Sequence, residues 1–313
     1  MGATGTSGIT SISVTGSHGM QTATATIEAT TSSLDVGDAV SVSIGYEEGN
    51  DYGTVFNGYV SSVSKSEANL KYTINALDTL KRAMDYFIVS SNPETPFSRS
   101  NISAETLVGE LLAMAGLTNY HGDTTNFVLA TLNPVEVNLT SAYDYCKFLA
   151  DLLAWHLHAE VNGQVHFTDR KPYVDGDSSY KTIHLNQILN LDYVEDANNL
   201  RNRVVLYGAN GLTAEASAHS DYLPDGFYKS AVVSAPMIDS QTYADQCVAY
   251  NLALYNRLTK MVSLSVIGDH ELEPRKALTL HVEVPKLNQL WYVYGVSHTA
   301  SSSGYITELE LRD

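Results

Sequence analysis

The chain repeats itself. Leu34-Asp35-Val36-Gly37-Asp38-Ala39-Val40-Ser41-Val42 returns as Leu272-Glu273-Pro274-Arg275-Lys276-Ala277-Leu278-Thr279-Leu280. Each copy leads to an aromatic-rich strand, Tyr59-Val60-Ser61-Ser62-Val63-Ser64 and Tyr292-Val293-Tyr294-Gly295-Val296-Ser297. Val63 lies nine residues before Tyr72, Val296 lies nine before Tyr305, and each tyrosine opens an alternating segment. Such self-similarity marks a duplicated module. A chain of 313 residues has room for two copies and a further domain.

The texture around the copies is β. Residues 22–29 and 39–44 alternate with period two, Val55 to Ser64 is rich in Val, Tyr and Phe, and residues 70–76 return after a turn at Ser66-Glu67-Ala68-Asn69. Asp78 caps a short helix from Thr79 to about Tyr86. After Pro93 and Pro96 the pattern changes. Ser103 starts a helix with Leu107, Val108, Leu111 and Leu112 on one face and Gly116 at its C-terminal cap. Ser141 with Asp144 starts a second helix, and Asn162-Gly163 centres a hairpin. From Lys181 the chain is β again, apart from a long helix capped by Ser240 and running from Gln241 to about Leu258. The divisions expected are an arm at 1–8, a first β unit at 9–94, an α+β insert at 95–178 and a second β unit at 179–313, the long helix included.

Composition excludes several functions. Lys and Arg total 18 against 35 Asp and Glu, a formal net charge of -17, which argues against phosphate-backbone binding. Cys146 and Cys247 are too few for a disulfide scaffold or a thiolate zinc cluster, and both fall in helical patterns as small buried hydrophobes. No apolar run reaches membrane-spanning length, and the N-terminus has no basic-plus-apolar signal region. Met1-Gly2-Ala3-Thr4-Gly5-Thr6 fits the loose myristoylation pattern but reads as a flexible arm. Asn101 and Asn138 head glycosylation sequons and, without a secretion signal, read as ordinary residues.

Motifs for chemistry are sparse. Gly16-Ser17-His18-Gly19 does not fit a nucleophile elbow, and Gly208-Ala209-Asn210-Gly211 is a turn, not a dinucleotide loop. Glu105 and Asp144 sit in first helical turns, where the dipole favours negative charge. The 20 tyrosines are spread over predicted strands and helices, as core and interface residues are. His156, His158 and His166 invite a metal test. A two-residue Asn162-Gly163 turn sets Val161 opposite Gln164 and His158 opposite Phe167. His156 and His158 then share a wet face with Glu160 and Asp169, while His166 lies on the other face with Trp155, Leu157 and Val161. On that register His156 pairs with Asp169 and the three imidazoles do not converge. No catalytic, cofactor-binding or metal site is therefore expected, and no cofactor.

Taken together, Leu34-Asp35-Val36-Gly37-Asp38-Ala39-Val40, Val55-Phe56-Asn57-Gly58-Tyr59-Val60 and Tyr72-Thr73-Ile74-Asn75-Ala76-Leu77-Asp78 carry a resemblance, completed by Trp291 to His298 and Gly304 to Leu311. The order of elements resembles the baseplate hub proteins of tailed phages and contractile injection systems, including the late-control-protein-D group and the hub part of type VI secretion spikes. The resemblance implies a mainly β fold with an α+β insert: two tail-tube-like β-barrels per chain plus a small α+β domain. Pro274-Arg275-Lys276 departs from the first copy's Val36-Gly37-Asp38, which leaves the shape of that turn open.

The resemblance also implies a function. Hubs of this kind are homotrimers, so two barrels per chain make a pseudo-sixfold ring that joins a hexameric tail tube to a trimeric central spike. The spike would be a separate polypeptide, since no needle or lysozyme-like segment follows Asp313. Implied partners are the tube protein, the spike, other baseplate proteins and a tape-measure terminus in the lumen, in a virion assembled in the host cytoplasm. Three chains would carry a formal charge of about -51, three times -17, and an acidic bore would let DNA slide past without binding. The insert would be a lateral decoration touching baseplate neighbours. The alternatives are a carbohydrate- or receptor-binding tail protein and a tail-associated wall hydrolase. The structural reading is the non-enzymatic one.

Overall fold

The computed structural model describes residues 1–17, 22–46, 51–66, 70–90, 96–125, 127–129, 134–153, 155–169, 178–220, 222–236, 238–255 and 260–313. The segments expected as a turn at 66–69, at Gly16-Ser17-His18-Gly19 and at the end of the long helix fall wholly or partly outside these residues.

The first half contributes β1 (Gly2–Ala3), β2 (Thr6–Ser17), β3 (Thr24–Ser32), β4 (Ala39–Tyr46), β5 (Asp51–Ser66) and β6 (Lys71–Asp78), followed by helix α1 (Lys81–Asp85). Period-two patterning sets the faces: Ala25, Ile27 and Ala29 of β3 point inward and their neighbours outward. Residues 2–8 are not an arm. Gly2 and Ala3 pair with Ser43 and Val42, and Thr6 pairs with Ser32, because an edge strand offers backbone groups that even a Gly/Thr segment can satisfy.

The middle unit holds α2 (Ala104–Met114), β7 (Tyr120–Gly122), α3 (Ala142–Leu153), β8 (Trp155–Ala159) and β9 (Val165–Asp169). Its caps match the sequence reading. Ser141 Oγ donates to Asp144 Oδ2 at 2.7 Å and accepts from Asp144 N–H at 2.9 Å. Gly116 ends α2 at φ +79°.

The rest comprises β10 (Lys181–His184), β11 (Ile188–Glu195), β12 (Arg203–Tyr207), β13 (Thr213–Ser217), β14 (Ser230–Ser234), α4 (Gln241–Tyr255), β15 (Lys260–Ile267), β16 (Ala277–His281), β17 (Leu290–Ser301) and β18 (Gly304–Arg312). Strands β12, β13 and β14 form a separate small sheet. Their Val204, Leu206 and Ala214, with Ala244, Cys247 and Val248 of α4, share one core with α2 and α3. The long helix therefore packs on the middle unit, although it lies within the stretch assigned by sequence to the second β unit.

The two ends of the chain have the same topology. In the first half β2 pairs β3, β3 pairs β6, β6 pairs β5 and β5 pairs β4. In the second, β11 pairs β15, β15 pairs β18, β18 pairs β17 and β17 pairs β16. Even the irregularities match. The β5–β6 register skips Ser61 and the β17–β18 register skips Tyr294, which are equivalent positions when Tyr59 is set on Tyr292. Strand β2 pairs β17 over seven residues, from Ser11↔Ser301 to Ser17↔Gly295, and fuses both halves into one large sheet. No closed barrel forms among the described residues, so the expected pair of barrels stands as a mainly β, continuous sheet with two lobes. Each lobe has its own core, around Ile12, Ile27, Phe56 and Ile74 in one and Val262, Leu264, Trp291 and Leu311 in the other.

Candidate functional site

A cavity of about 720 Å³ lies where the two lobes meet the β8–β9 hairpin. Strands β2 and β5 line it from the first lobe, and His270, residues 272–276, Val296 and His298 from the second.

Two buried groups fix its walls. His298 Nε2 lies 3.1 Å from Leu272 O, and since a carbonyl only accepts, Nε2 carries the proton. Nδ1 is then the acceptor for Tyr305 OH at 2.8 Å, with Thr307 Oγ1 at 3.2 Å. Burial holds the imidazole neutral and lowers its pKa to about 4. Asp78, which also lines the cavity, accepts from Ala23 N–H at 2.7 Å and Leu80 N–H at 2.9 Å. Burial nevertheless raises its pKa to about 6, against those hydrogen bonds and the charge of Arg275. Arg275 Nη2 donates to Ser17 O at 3.2 Å, and burial lowers its pKa.

The hairpin reaches the cavity in a register different from the sequence expectation. Gly163 N–H donates to Glu160 O and Glu160 N–H to Gln164 O, both at 2.9 Å, so the loop is Val161-Asn162-Gly163, with Gly163 at φ +81°. His158 therefore faces His166, and His156 faces Thr168. The wet-face pairing of His156 with Asp169 is corrected accordingly: Asp169 stands opposite Trp155, and His156 is buried, 3.4 Å from Tyr292 OH. His156, His158, Glu160 and His166 now share one face, because a shift of one residue moves the whole strand to the other face. The His158 and His166 rings stack at 5.3 Å and 18°, and His166 Nε2 lies 3.4 Å from Glu160 Oε2. His158, Glu160 and His166 bring one ligand atom each to within 4.8 Å of one another. The signal that finds this arrangement in sequence is the three-residue loop, with Gly at its last position.

The other sequence candidates hold structure together. Glu105 Oε2 accepts from Thr125 Oγ1 at 2.5 Å, and Asn138 Oδ1 accepts from the N–H groups of Ser90 and Leu139 at 3.2 and 3.0 Å. Asn101 is exposed at φ +50°. Both cysteines are buried and free, and Cys247 Sγ–H donates to Leu152 O at 2.7 Å.

Comparison with known proteins follows the architecture. No protein-family model matches the chain, and no curated protein matches it. Solved structures do. The 43 kDa tail protein of prophage MuSo2 from Shewanella oneidensis superposes with a TM-score of 0.72 at 13% identity, covering 98% of this chain and 96% of that one. The fold is that of phage tail proteins. A tail protein from Neisseria meningitidis MC58 also gives 0.72, at 11% identity over 97% and 92% of the two chains. A type VI secretion component of E. coli, described as similar to the T4 bacteriophage tail proteins gp27 and gp5, gives 0.59 at 8% identity, covering 97% and 73%.

Proposed function

We propose that this chain is a structural hub of a phage-type tail or contractile injection system. As a homotrimer it presents six similar lobes to a hexameric tail tube and a threefold face to a central spike, and it lines the channel through which DNA passes. The observation that carries this reading is the duplication: two lobes with one strand order and one bulge position, fused through β2 and β17. Equivalent lobes offer equivalent surfaces, the economical way to match threefold to sixfold symmetry. The tail-protein fold supports the same reading. Strand β11 ends the sheet with one edge unpaired among the described residues, and its Leu189 and Val194 are more than half exposed. Such an edge suits a neighbouring copy. In this reading the middle unit points outward, towards baseplate neighbours, and the net charge of -17 favours an acidic bore.

Light scattering and axial electron micrographs test the proposal. The expected mass is about 102 kDa, three times the 34.0 kDa chain, with a ring of six densities down the axis. A chain that stays monomeric both alone and mixed with the tail-tube protein overturns it.

A further inference from the structure

We propose that His158, Glu160 and His166 form a binding site for a divalent transition metal of the zinc type, one per chain, at the tip of the β8–β9 hairpin. This proposal does not depend on the hub reading. Two imidazoles and a carboxylate are the donor set that borderline-soft cations prefer, and three protein ligands leave a fourth position for water. That position opens towards the cavity, which all three residues line.

The geometry is close to what ligation needs. Zinc bonds of roughly 2.0–2.1 Å set tetrahedral ligand–ligand edges of about 3.3–3.4 Å. His166 Nε2 and Glu160 Oε2 already stand 3.4 Å apart. The remaining separations, His158 to Glu160 and His158 to His166, are within 4.8 Å and close by small side-chain rotations of all three residues, the exposed Glu160 exchanging the hydrogen bond that its Oε2 accepts from Asn162 Nδ2 at 3.0 Å. His166 Nε2 is buried without a hydrogen bond of acceptable geometry, a condition rare for native polar atoms and removed by metal ligation.

The backbone beneath is firm. The opposite face of the hairpin buries Trp155, Leu157, Val165 and Phe167, and Asn57 Nδ2 pins the loop by donating to Val161 O at 2.6 Å. Ligands on such a support keep their separation before metal arrives. His121 marks the limit of the set. Its ring is 5.3 Å from that of His166, but its Nε2 lies 3.4 Å from Asp123 Oδ1 and its side chain is half exposed. A bound cation would cross-link the two hairpin strands where the middle unit meets both lobes.

The experiment uses the full chain, stripped with EDTA and dialysed, then titrated with zinc sulfate by calorimetry and with cobalt chloride by visible absorption. The expected results are one ion per chain with a micromolar or tighter Kd, the intense visible bands of four-coordinate cobalt, and a Tm raised by roughly 5 °C at a hundredfold excess over Kd. His166→Ala and Glu160→Gln should each weaken binding by roughly tenfold or more, and His121→Ala should leave it unchanged. Glu160→Gln is exposed and isosteric, so it keeps the test valid if His166→Ala fails to fold. No binding, or binding that Glu160→Gln and His166→Ala leave unaltered, overturns the site.

Discussion

Gly37 and Arg275 hold the same place in two copies of one turn. Gly37 has φ +95° and its N–H donates to Val60 O at 2.9 Å; Arg275 has φ +70° and its N–H donates to Val293 O at 2.8 Å. The return bonds match as well, from Val60 N–H to Asp38 O and from Val293 N–H to Lys276 O. The turn whose shape the sequence left open is thus the same turn, held in the left-handed region even by an arginine. Gly37→Ala isolates the conformational cost, because a Cβ there meets no atom within 4 Å. It should lower stability by about 1–2 kcal/mol in urea unfolding. In the second copy, Arg275→Gly should be more stable than Arg275→Ala by about 1 kcal/mol, since both lose the bond to Ser17 O and only alanine keeps the strain.

The duplication was legible because alternation and spacing survive in sequence: Leu34 and Leu272, and Tyr59 and Tyr292, fall at equivalent places. The equal spacing of Tyr72 and Tyr305 misleads, because the second hairpin is two residues longer and Tyr72 corresponds to Thr307. The hairpin was harder. Asn162-Gly163 favours a two-residue turn when both residues adopt positive φ, but only Gly163 does. Asn162 instead turns its side chain to accept from Gln164 N–H at 2.7 Å, which lengthens the loop by one residue and exchanges the faces of β9. That single residue decides whether the histidines meet. Helix α4 was legible as a helix but not in its location, because helical periodicity names a buried face and not the sheet it covers. Strand β12 pairs in parallel with β14 across the segment between them, a non-local pairing that local patterning does not encode.

Two buried acids oppose each other in the pH dependence of stability. His298 has its pKa lowered to about 4, so the unfolded chain binds its proton first; its contribution is complete above about pH 6.5 and is lost as pH falls towards 4. Asp78 has its pKa raised to about 6, so its contribution is complete below about pH 4 and is lost as pH rises through 6. Each shift corresponds to roughly 3 kcal/mol as an upper bound, and the two nearly cancel between pH 4 and 6. Asp78→Asn should therefore make stability fall more steeply on acidification through that window. His298→Gln should reverse the difference and leave a protein whose stability relative to wild type improves as pH falls. Urea midpoints from pH 4 to 7 measure both slopes.

The cysteines should be silent in the native state. Burial raises both thiols, Cys247 to about 12, so almost no thiolate exists at neutral pH. Cys247 is further engaged with Leu152 O, and neither thiol is exposed. A thiol-reactive chromogen at pH 8 should label no site per folded chain and two in denaturant. Labelling of a folded chain at a rate independent of its unfolding would show a thiol more open than its burial allows.

The contact that joins the lobes across the cavity offers the sharpest mutational test. Gly53 of β5, in the first lobe, lies under the ring of His270 in the second; a Cβ on Gly53 would come within 1.8 Å of that ring. His270 Nδ1 is also 3.7 Å from Asp51 Oδ1, which holds the imidazole over the strand. In an ordinary strand Gly→Ala is favourable by about 0.5–1 kcal/mol, because alanine loses less backbone entropy on folding. Here the ring blocks that gain, and Gly53→Ala should instead destabilise the chain by roughly 2 kcal/mol. Removing the obstacle should restore the usual sign: in a His270→Ala background the same substitution becomes neutral or stabilising. The coupling from this double-mutant cycle, measured by urea unfolding, should reach about 2 kcal/mol. A coupling near zero would mean that the lobes do not meet through these two residues.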